Sequence, residues 1–474
     1  MSTFRRILKN CLSLYSAEIL SNILRFLSVA YLARILKAEG FGQISFATAV
    51  LAYFTLLINL GLDTFGIREV ARDQSQIKSY VSNILGIRIS GAALSFLLLL
   101  VFVSLISKPL EVKKLILLYG LGVFTFSLTL DWVFMGIEKM QYIAISRIIQ
   151  QTFYVALIFL IIRRPEQILS IPLFQFVSGL VAILILSYVF IRKFAFYKIN
   201  FSFGVWKNIL KASLPMGFSF IMIQIYYNFD VILLSFMKSE KEVGWYSSAY
   251  KIILLINTIG LIYYSTIFPL ISKYYKSSME KLKILLTYTS KLMVTVVVPL
   301  GIGGVFAARP IMDWVYGENF RGGVIAFQIL IWVVCIIWIS CIYGNSLLAC
   351  DKQNKFLVGV SLGAVTNIVS NLILIPRFSL IGAAISTILA EGVVFIYMYH
   401  NFSKIVKIEF LQHLPKPLFA SMIMGLFMLW WGTKLNLIFL LLGAIIIYFL
   451  VIFIVKGITR EEIVNIKKQL TPSV

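Results

Sequence analysis

Apolar runs of about twenty residues alternate with short breaks rich in Lys, Arg, Gly, Pro and Asn along nearly the whole chain. A helix that crosses a bilayer needs about 20 mostly apolar residues. The pattern predicts spans near 12–36, 42–62, 83–106, 114–134, 142–162 and 169–191. A second set follows at 209–237, 244–268, 285–308, 324–348, 356–375 and 380–400, and a last pair at 417–432 and 436–455. The penultimate run is short, so the expectation is 12–14 transmembrane helices in an all-α polytopic membrane protein. The first run is too long for a cleaved leader, and it carries Glu18 and Arg25.

Composition agrees with this pattern. Of 474 residues, 60% are hydrophobic and 13% charged, against about 45–50% and about 25% in soluble domains. Soluble, disordered and fibrous classes are excluded. The net charge of +23 would suggest nucleic acid in a soluble chain. Here the basic residues sit in the breaks, 28 on one side and 13 on the other. That bias orients both termini to the cytoplasm and predicts no nucleic-acid partner. The four Cys and two His form no metal-ligand spacing. No phosphate loop and no dinucleotide fingerprint occur, which argues against an ATP-driven pump. No break is long enough to fold as an extramembrane catalytic domain, so the chain reads as a non-enzyme with no cofactor and no metal.

An internal repeat is visible at a constant offset of 202. Leu8, Lys9, Leu12, Ile19, Ile23, Val29 and Leu32 match Leu210, Lys211, Leu214, Ile221, Ile225, Val231 and Leu234. Gly42, Ser45 and Ala47 match Gly244, Ser247 and Ala249. The expected domains are a six-helix bundle over 1–205, a second over 206–405, and an extra helix pair with a cytoplasmic tail over 406–474. Each half has an even number of spans, so the repeats are parallel, as in many secondary transporters.

Ionisable residues within spans cost about 2.5–3.5 kcal/mol at the helix centre, so they face water or a partner. In span 1, Tyr15, Glu18, Asn22 and Arg25 share one helix face. Either Glu18 and Arg25 pair with each other, or the face lines a cavity. Span 7 carries Gln224, Tyr227 and Asn228 on a similar face, with Asp230 to one side. Span 8 carries Lys251, which binds cargo or snorkels to headgroups. Glu391 in span 12 is a buried hydrogen-bonded carboxylate or, with Asp230, a coupling-ion site for H+ or Na+. Trp132, Trp206, Trp245, Trp314 and Trp430-Trp431 read as interfacial belts.

Several stretches resemble the oligosaccharide-lipid flippases of bacterial polysaccharide biosynthesis (O-antigen transporters), in the superfamily of MATE antiporters and murein lipid flippases. These are Leu36–Ala47, Gly61-Leu-Asp-Thr-Phe-Gly-Ile-Arg-Glu-Val-Ala71, Asp131-Trp-Val-Phe-Met-Gly-Ile-Glu-Lys-Met140, Leu210–Gly217 and Tyr227-Asn-Phe-Asp-Val-Ile232. The resemblance implies a V-shaped bundle pair around a central cavity in the bacterial inner membrane. It implies an undecaprenyl-diphosphate-linked oligosaccharide as cargo, turned to the outer leaflet by alternating access, with polysaccharide polymerase machinery as a partner. Murein flippases carry essential basic residues on spans one and eight, where Arg25 and Lys251 stand here. The cavity residues are then Arg25, Lys251, Asn22, Glu18, Tyr15, Gln224, Tyr227 and Asn228.

The alternatives are a MATE-like cation-coupled drug antiporter, for which Glu18, Asp230 and Glu391 would supply acidic groups, and a membrane polymerase or ligase. The latter would need a long catalytic outer loop, and the longest here is about 309–323. The charge bias generates the first prediction. In a background lacking native cysteines, Ser2→Cys and Ser473→Cys are labelled by an impermeant maleimide only after permeabilisation. Labelling of either in intact spheroplasts reverses the orientation.

Overall fold

The computed structural model describes residues 3–194, 202–432 and 434–457, and leaves the side chains of 3–17, 216, 218–221, 223 and 225 outside that description. Among the described residues every regular element is helical. Ten helical stretches are long and apolar enough to cross a membrane. Two helices need a break. Helix α1, Thr3–Asn59, has 57 residues and would run about 85 Å if continuous, against a hydrocarbon core of about 30 Å. It breaks at Lys37, with φ 57° and ψ −174°. Helix α13 breaks likewise at Ser379, with φ 52°. A Cβ on Gly382 would meet the Leu374 carbonyl oxygen at 2.4 Å, a contact eight residues apart that only a reversed chain can make.

The chain divides into two compact units, Met1–Ser247 and Ser248–Val474. The first unit holds α1, α2 (Leu62–Arg72), α3 (Ile77–Leu105), α4 (Leu110–Gly120), α5 (Gly122–Ser127), α6 (Asp131–Gly136), α7 (Met140–Ile161), α8 (Ser170–Phe194) and α9 (Phe203–Met237). It also takes the first two turns of α10 (Glu240–Ser277). The second unit holds the rest of α10, then α11 (Met279–Tyr316), α12 (Val324–Ala349), α13 (Gln353–Phe402), α14 (Pro415–Trp431) and α15 (Leu437–Ile454). The contact boundary lies after α9, whereas the sequence repeat begins just before it. Helix α9 packs on α1, α2 and α3, so packing and sequence repeat divide the chain at different places.

Apolar side chains such as Leu97, Leu160 and Leu184 are exposed on the helices of the first unit, where lipid is the solvent. Helix association in lipid depends on close packing and hydrogen bonds more than on the hydrophobic effect. Two large clusters lie in the first unit, with a small third of Ile58, Ala92 and Val123. One gathers Phe46, Val50, Leu99, Val103, Leu115 and Ile171 towards the Lys37 end. The other gathers Leu62, Val70, Ile84, Trp132, Phe134 and Phe190 at the end where α1 turns into α2. Trp132 is 1% and Trp206 7% exposed, whereas Trp314 is 61% and Trp430 72% exposed. The belt reading is therefore corrected for Trp132 and Trp206, which pack in the second cluster. The indole of Trp132 lies against Gly66, where a Cβ would stand 2.3 Å from its ring. In the second unit, α14 and α15 pack on α11 through Ala307, Met424, Met428, Ala444 and Tyr448.

At the Lys37 end two backbones touch reciprocally. A Cβ on Gly42 would stand 1.8 Å from the Glu240 carbonyl oxygen, and one on Gly244 would stand 1.8 Å from the Ala38 carbonyl oxygen. Both pairs, 42 with 244 and 38 with 240, are related by the same offset of 202. The ion pair beside them involves Lys108, whose Nζ donates to Glu240 Oε1 at 2.5 Å and to the Ser235 carbonyl at 2.6 Å. The same ammonium stands 5.2 Å from the centre of the Phe46 ring. Any side chain at Gly42 or Gly244 must push the helices apart, at a cost of about 1–3 kcal/mol. Gly42→Ala and Gly244→Ala should each lower the thermal unfolding midpoint in detergent by several degrees. Gly392→Ala, with nothing within 4 Å of its Cβ, should leave it unchanged. Equal midpoints for all three would remove the contact from the account.

Candidate functional site

The first half of α1 presents Glu18, Asn22 and Arg25 on one face, and Tyr15 lies outside the residues whose side chains are described. Arg25 is exposed, and its Nη1 donates to Asn22 Oδ1 at 3.3 Å. Among the described residues it makes no ion pair. It stands twelve residues before the Lys37 break, about 18 Å along the helix, within a stretch long and apolar enough to cross a membrane. Glu18 does not pair with Arg25. Its Oε2 accepts from Arg147 Nη1 on α7 at 2.9 Å. The pairing alternative within span 1 is thereby settled against, because a partner from another helix takes the carboxylate.

Arg147 is shared. Its Nη2 and Nε donate to Asp131 Oδ2 on α6 at 2.9 and 3.2 Å. A second arginine, Arg88 on α3, is wholly buried. It donates to Asp63 Oδ1 at 2.5 Å, to Asn59 Oδ1 at 3.3 Å and to the Thr129 carbonyl at 3.3 Å. Asp131 lies within electrostatic reach of Asp63 and Arg88. Two guanidiniums therefore hold three carboxylates and tie α1, α2, α3, α6 and α7 together at one end of the unit. The sequence reading counted Arg88 and Arg147 only as orienting charges. The signal lay in the two stretches 61–71 and 131–140. Gly61 turns the chain with φ 81°, Asp63 takes Arg88, Gly66 seats Trp132, and Gly136 lies against Val70.

On α9, Asn228 Nδ2 donates to Gln224 Oε1 at 3.0 Å and to the Gln224 carbonyl at 3.2 Å. Tyr227 is 40% exposed, edge-on to Tyr226 with ring centres 5.7 Å apart. Gln224 also lines a cavity of about 220 Å³ with Thr55, Asn59, Phe126 and Gly217. A neighbouring cavity of about 270 Å³ lies between α1, α5, α7 and α8 and shares Thr55 and Phe126 with the first. Asp230 is 3% exposed and accepts from Tyr246 Oη at 2.6 Å. In the second unit Lys251 is half-buried on α10 and Glu391 is 7% exposed on α13. Among the described residues no group of His, Cys, Asp and Glu has a metal-holding arrangement. The structure thus brings together Asn22 with Arg25 and Gln224 with Asn228, and gives Glu18 and Asp230 partners that the sequence reading had not named.

A family model described as polysaccharide biosynthesis protein matches residues 7–275, more than half of the chain. A putative O-antigen transporter of Shigella dysenteriae is 25% identical over 411 residues, 82% of this chain and 98% of that protein. Among solved structures, lipid II flippase MurJ in an inward closed conformation has a TM-score of 0.75 at 16% identity, covering 93% of this chain and 97% of that one. A multidrug resistance MATE family transporter of the MOP superfamily, inward-facing, has a TM-score of 0.65 at 15% identity, covering 81% and 95%. At these identities the two structures establish a shared fold.

The arginine cluster generates a stability prediction. Removing one partner of a buried ion pair costs about 3–5 kcal/mol, because the other charge is left stranded. Arg88→Ala should cut the amount of folded protein in the membrane severely. The paired change Arg88→Leu with Asp63→Leu should recover most of it, since no charge is left unpaired. Normal yields of Arg88→Ala would show that the pair does not hold the unit together.

Proposed function

The chain belongs to the polysaccharide biosynthesis protein family, and we propose that it turns an undecaprenyl-diphosphate-linked oligosaccharide from the cytoplasmic to the outer leaflet by alternating access. The product would feed O-antigen, capsule or exopolysaccharide synthesis, with the polysaccharide polymerase machinery acting on it afterwards. The protein would lie in the bacterial inner membrane with both termini in the cytoplasm.

The observation that carries this reading is Arg25. An exposed guanidinium within an apolar span, with an amide beside it and, among the described residues, no carboxylate, is costly against lipid. It is tolerable against a water-filled path, where it can meet an anion. A diphosphate carries about two negative charges, and the planar fork of arginine suits it. An unaided passage of that headgroup through hydrocarbon would carry a large desolvation cost. Lys251 is the second candidate donor. Asn22, Gln224, Tyr227 and Asn228 offer amides and a phenol to sugar hydroxyls, and Glu18 helps set the α1 face through Arg147. Tyr15 stands on that same face by spacing and is proposed as a further partner. The prenyl chain stays in the bilayer throughout. Asp230 and Glu391, both buried carboxylates, are the residues proposed to take a coupling H+ or Na+. The MATE-like reading asks for acidic groups facing a cationic cargo. Glu18 is held by Arg147 and Asp230 is buried against Tyr246, which favours the anionic cargo.

Arg25→Ala should abolish surface polysaccharide while leaving the protein in the membrane, and Arg25→Lys should keep part of the export. Lys251→Ala should be weaker. Since Glu18 bonds to Arg147, adding Glu18→Gln should not rescue Arg25→Gln. Polysaccharide staining beside membrane immunoblots reads all five. Wild-type export by Arg25→Ala, or rescue by the second change, would remove Arg25 from the binding site.

A further inference from the structure

The Gln224 cavity and its larger neighbour have no charged side chain among their lining residues, although Arg88 bonds from behind to Thr129 in one wall and Asn59 in the other. The larger is walled by Thr125, Thr129, Gln150 and Gln175 together with the rings of Phe126 and Phe176. Its volume of about 270 Å³ falls just below the roughly 300 Å³ at which drug-sized ligand sites begin. That is room for one sugar ring.

The polar groups in its wall have a definite hydrogen-bonding character. Thr125 and Thr129 each donate to a backbone carbonyl one turn earlier, Thr125 to Gly122 at 3.0 Å and Thr129 to Phe126 at 2.9 Å. Thr55, shared with the smaller cavity, does the same to Ala52 at 2.8 Å. These donors are committed, so the three hydroxyls present lone pairs and act as acceptors. Among the described residues, neither the Gln150 nor the Gln175 amide has a hydrogen-bond partner in the protein. Each offers a carbonyl and an NH₂, the pair that answers two adjacent ring hydroxyls. Gln150 is half-buried and Gln175 exposed, and a polar group left unmatched in an apolar setting is costly, so these amides bond to water or to a ligand. The absence of charge disfavours a phosphate and an organic cation alike. Aromatic faces beside amides and acceptor hydroxyls suit a neutral pyranose.

We propose that this cavity is a subsite for one neutral sugar ring of the cargo, read by Gln150 and Gln175, with the Gln224 cavity as the adjoining subsite. The proposal rests on the flippase reading above and adds to it a second recognition element. The diphosphate is bound by charge, and the sugar is selected in a neutral pocket built wholly inside the first unit. Gly179 forms part of the wall, and a Cβ there would stand 3.2 Å from the Thr125 side chain. A larger residue at 179 therefore presses on Thr125 and deforms this wall.

The test compares two probes on the full-length protein in detergent: undecaprenyl diphosphate and the same lipid carrying one N-acetylglucosamine. Wild type should bind the sugar-bearing lipid about tenfold more tightly, the worth of one or two well-made hydrogen bonds. Gln150→Leu, Gln175→Leu and Gly179→Val should each remove that preference and leave binding of the sugar-free lipid unchanged. The two leucine variants are more apolar than wild type, so membrane insertion is not at risk, and unchanged binding of the sugar-free lipid certifies the fold of each variant. Equal affinity of wild type for the two probes would overturn the subsite and leave the flippase reading standing. The same holds if the variants keep their preference for the sugar. Binding of neither probe by wild type would overturn both.

Discussion

Charge inside hydrocarbon is the constraint on which the first unit depends. Arg88 has no contact with solvent, and a guanidinium cannot shed its proton to escape the cost of burial. It is tolerated only because Asp63, Asn59 and the Thr129 carbonyl surround it. Those three acceptors come from the end of α1, from α2 and from the segment before α6. Satisfying one cation therefore fixes the turn at Gly61, the placement of the short helix α2 and the seat of Trp132 on Gly66. Arg147 extends the arrangement to α7 and to the first half of α1 through Glu18. Against this background of matched charge, Arg25 stands apart. It is exposed, it lies within an apolar span, and among the described residues its side chain bonds to the Asn22 amide and to no carboxylate.

The opposite end of the unit is held by different means. There the backbones of Ala38 and Gly42 meet those of Glu240 and Gly244, with Lys108 bridging to Glu240 and the Ser235 carbonyl. Small residues at a helix contact allow main chains to approach within van der Waals range, which is how helices associate where lipid gives no hydrophobic drive. The two described cavities adjoin the charged end: Asn59 in the wall of the smaller and Thr129 in the wall of the larger both accept from Arg88.

Much of this was legible beforehand. Span positions follow from hydropathy because lipid imposes a length on every crossing helix, and the breaks at Lys37 and Ser379 fall between spans read as separate. The offset of 202 linked Gly42 to Gly244, and the structure makes these residues reciprocal partners. Partner choice was not legible. Glu18 and Arg25 share a face by spacing, yet Glu18 bonds to a residue 129 positions away, and no local periodicity carries that information. Trp132 and Trp206 looked like belt residues because Trp favours interfaces, but the space left by Gly66 draws the first into the core. The cavity glutamines escaped notice because a lone Gln in an apolar run has no motif. They acquire meaning only when α7 and α8 set Gln150 and Gln175 into one wall.

The central claim is that this chain moves an anionic lipid headgroup past Arg25, which makes no ion pair among the described residues. Its most direct measurement is movement in vesicles containing only the purified protein, in either membrane orientation, and a fluorescent lipid-linked oligosaccharide. A membrane-impermeant quencher then reports which leaflet each labelled lipid occupies. The account predicts that the protein makes the inner-leaflet pool quenchable for the undecaprenyl diphosphate-linked sugar, and does so far more slowly for an analogue joined through a neutral ether. Equal movement of the neutral analogue would contradict the account, and so would failure to move the diphosphate lipid by protein that exports organic cations from the same vesicles.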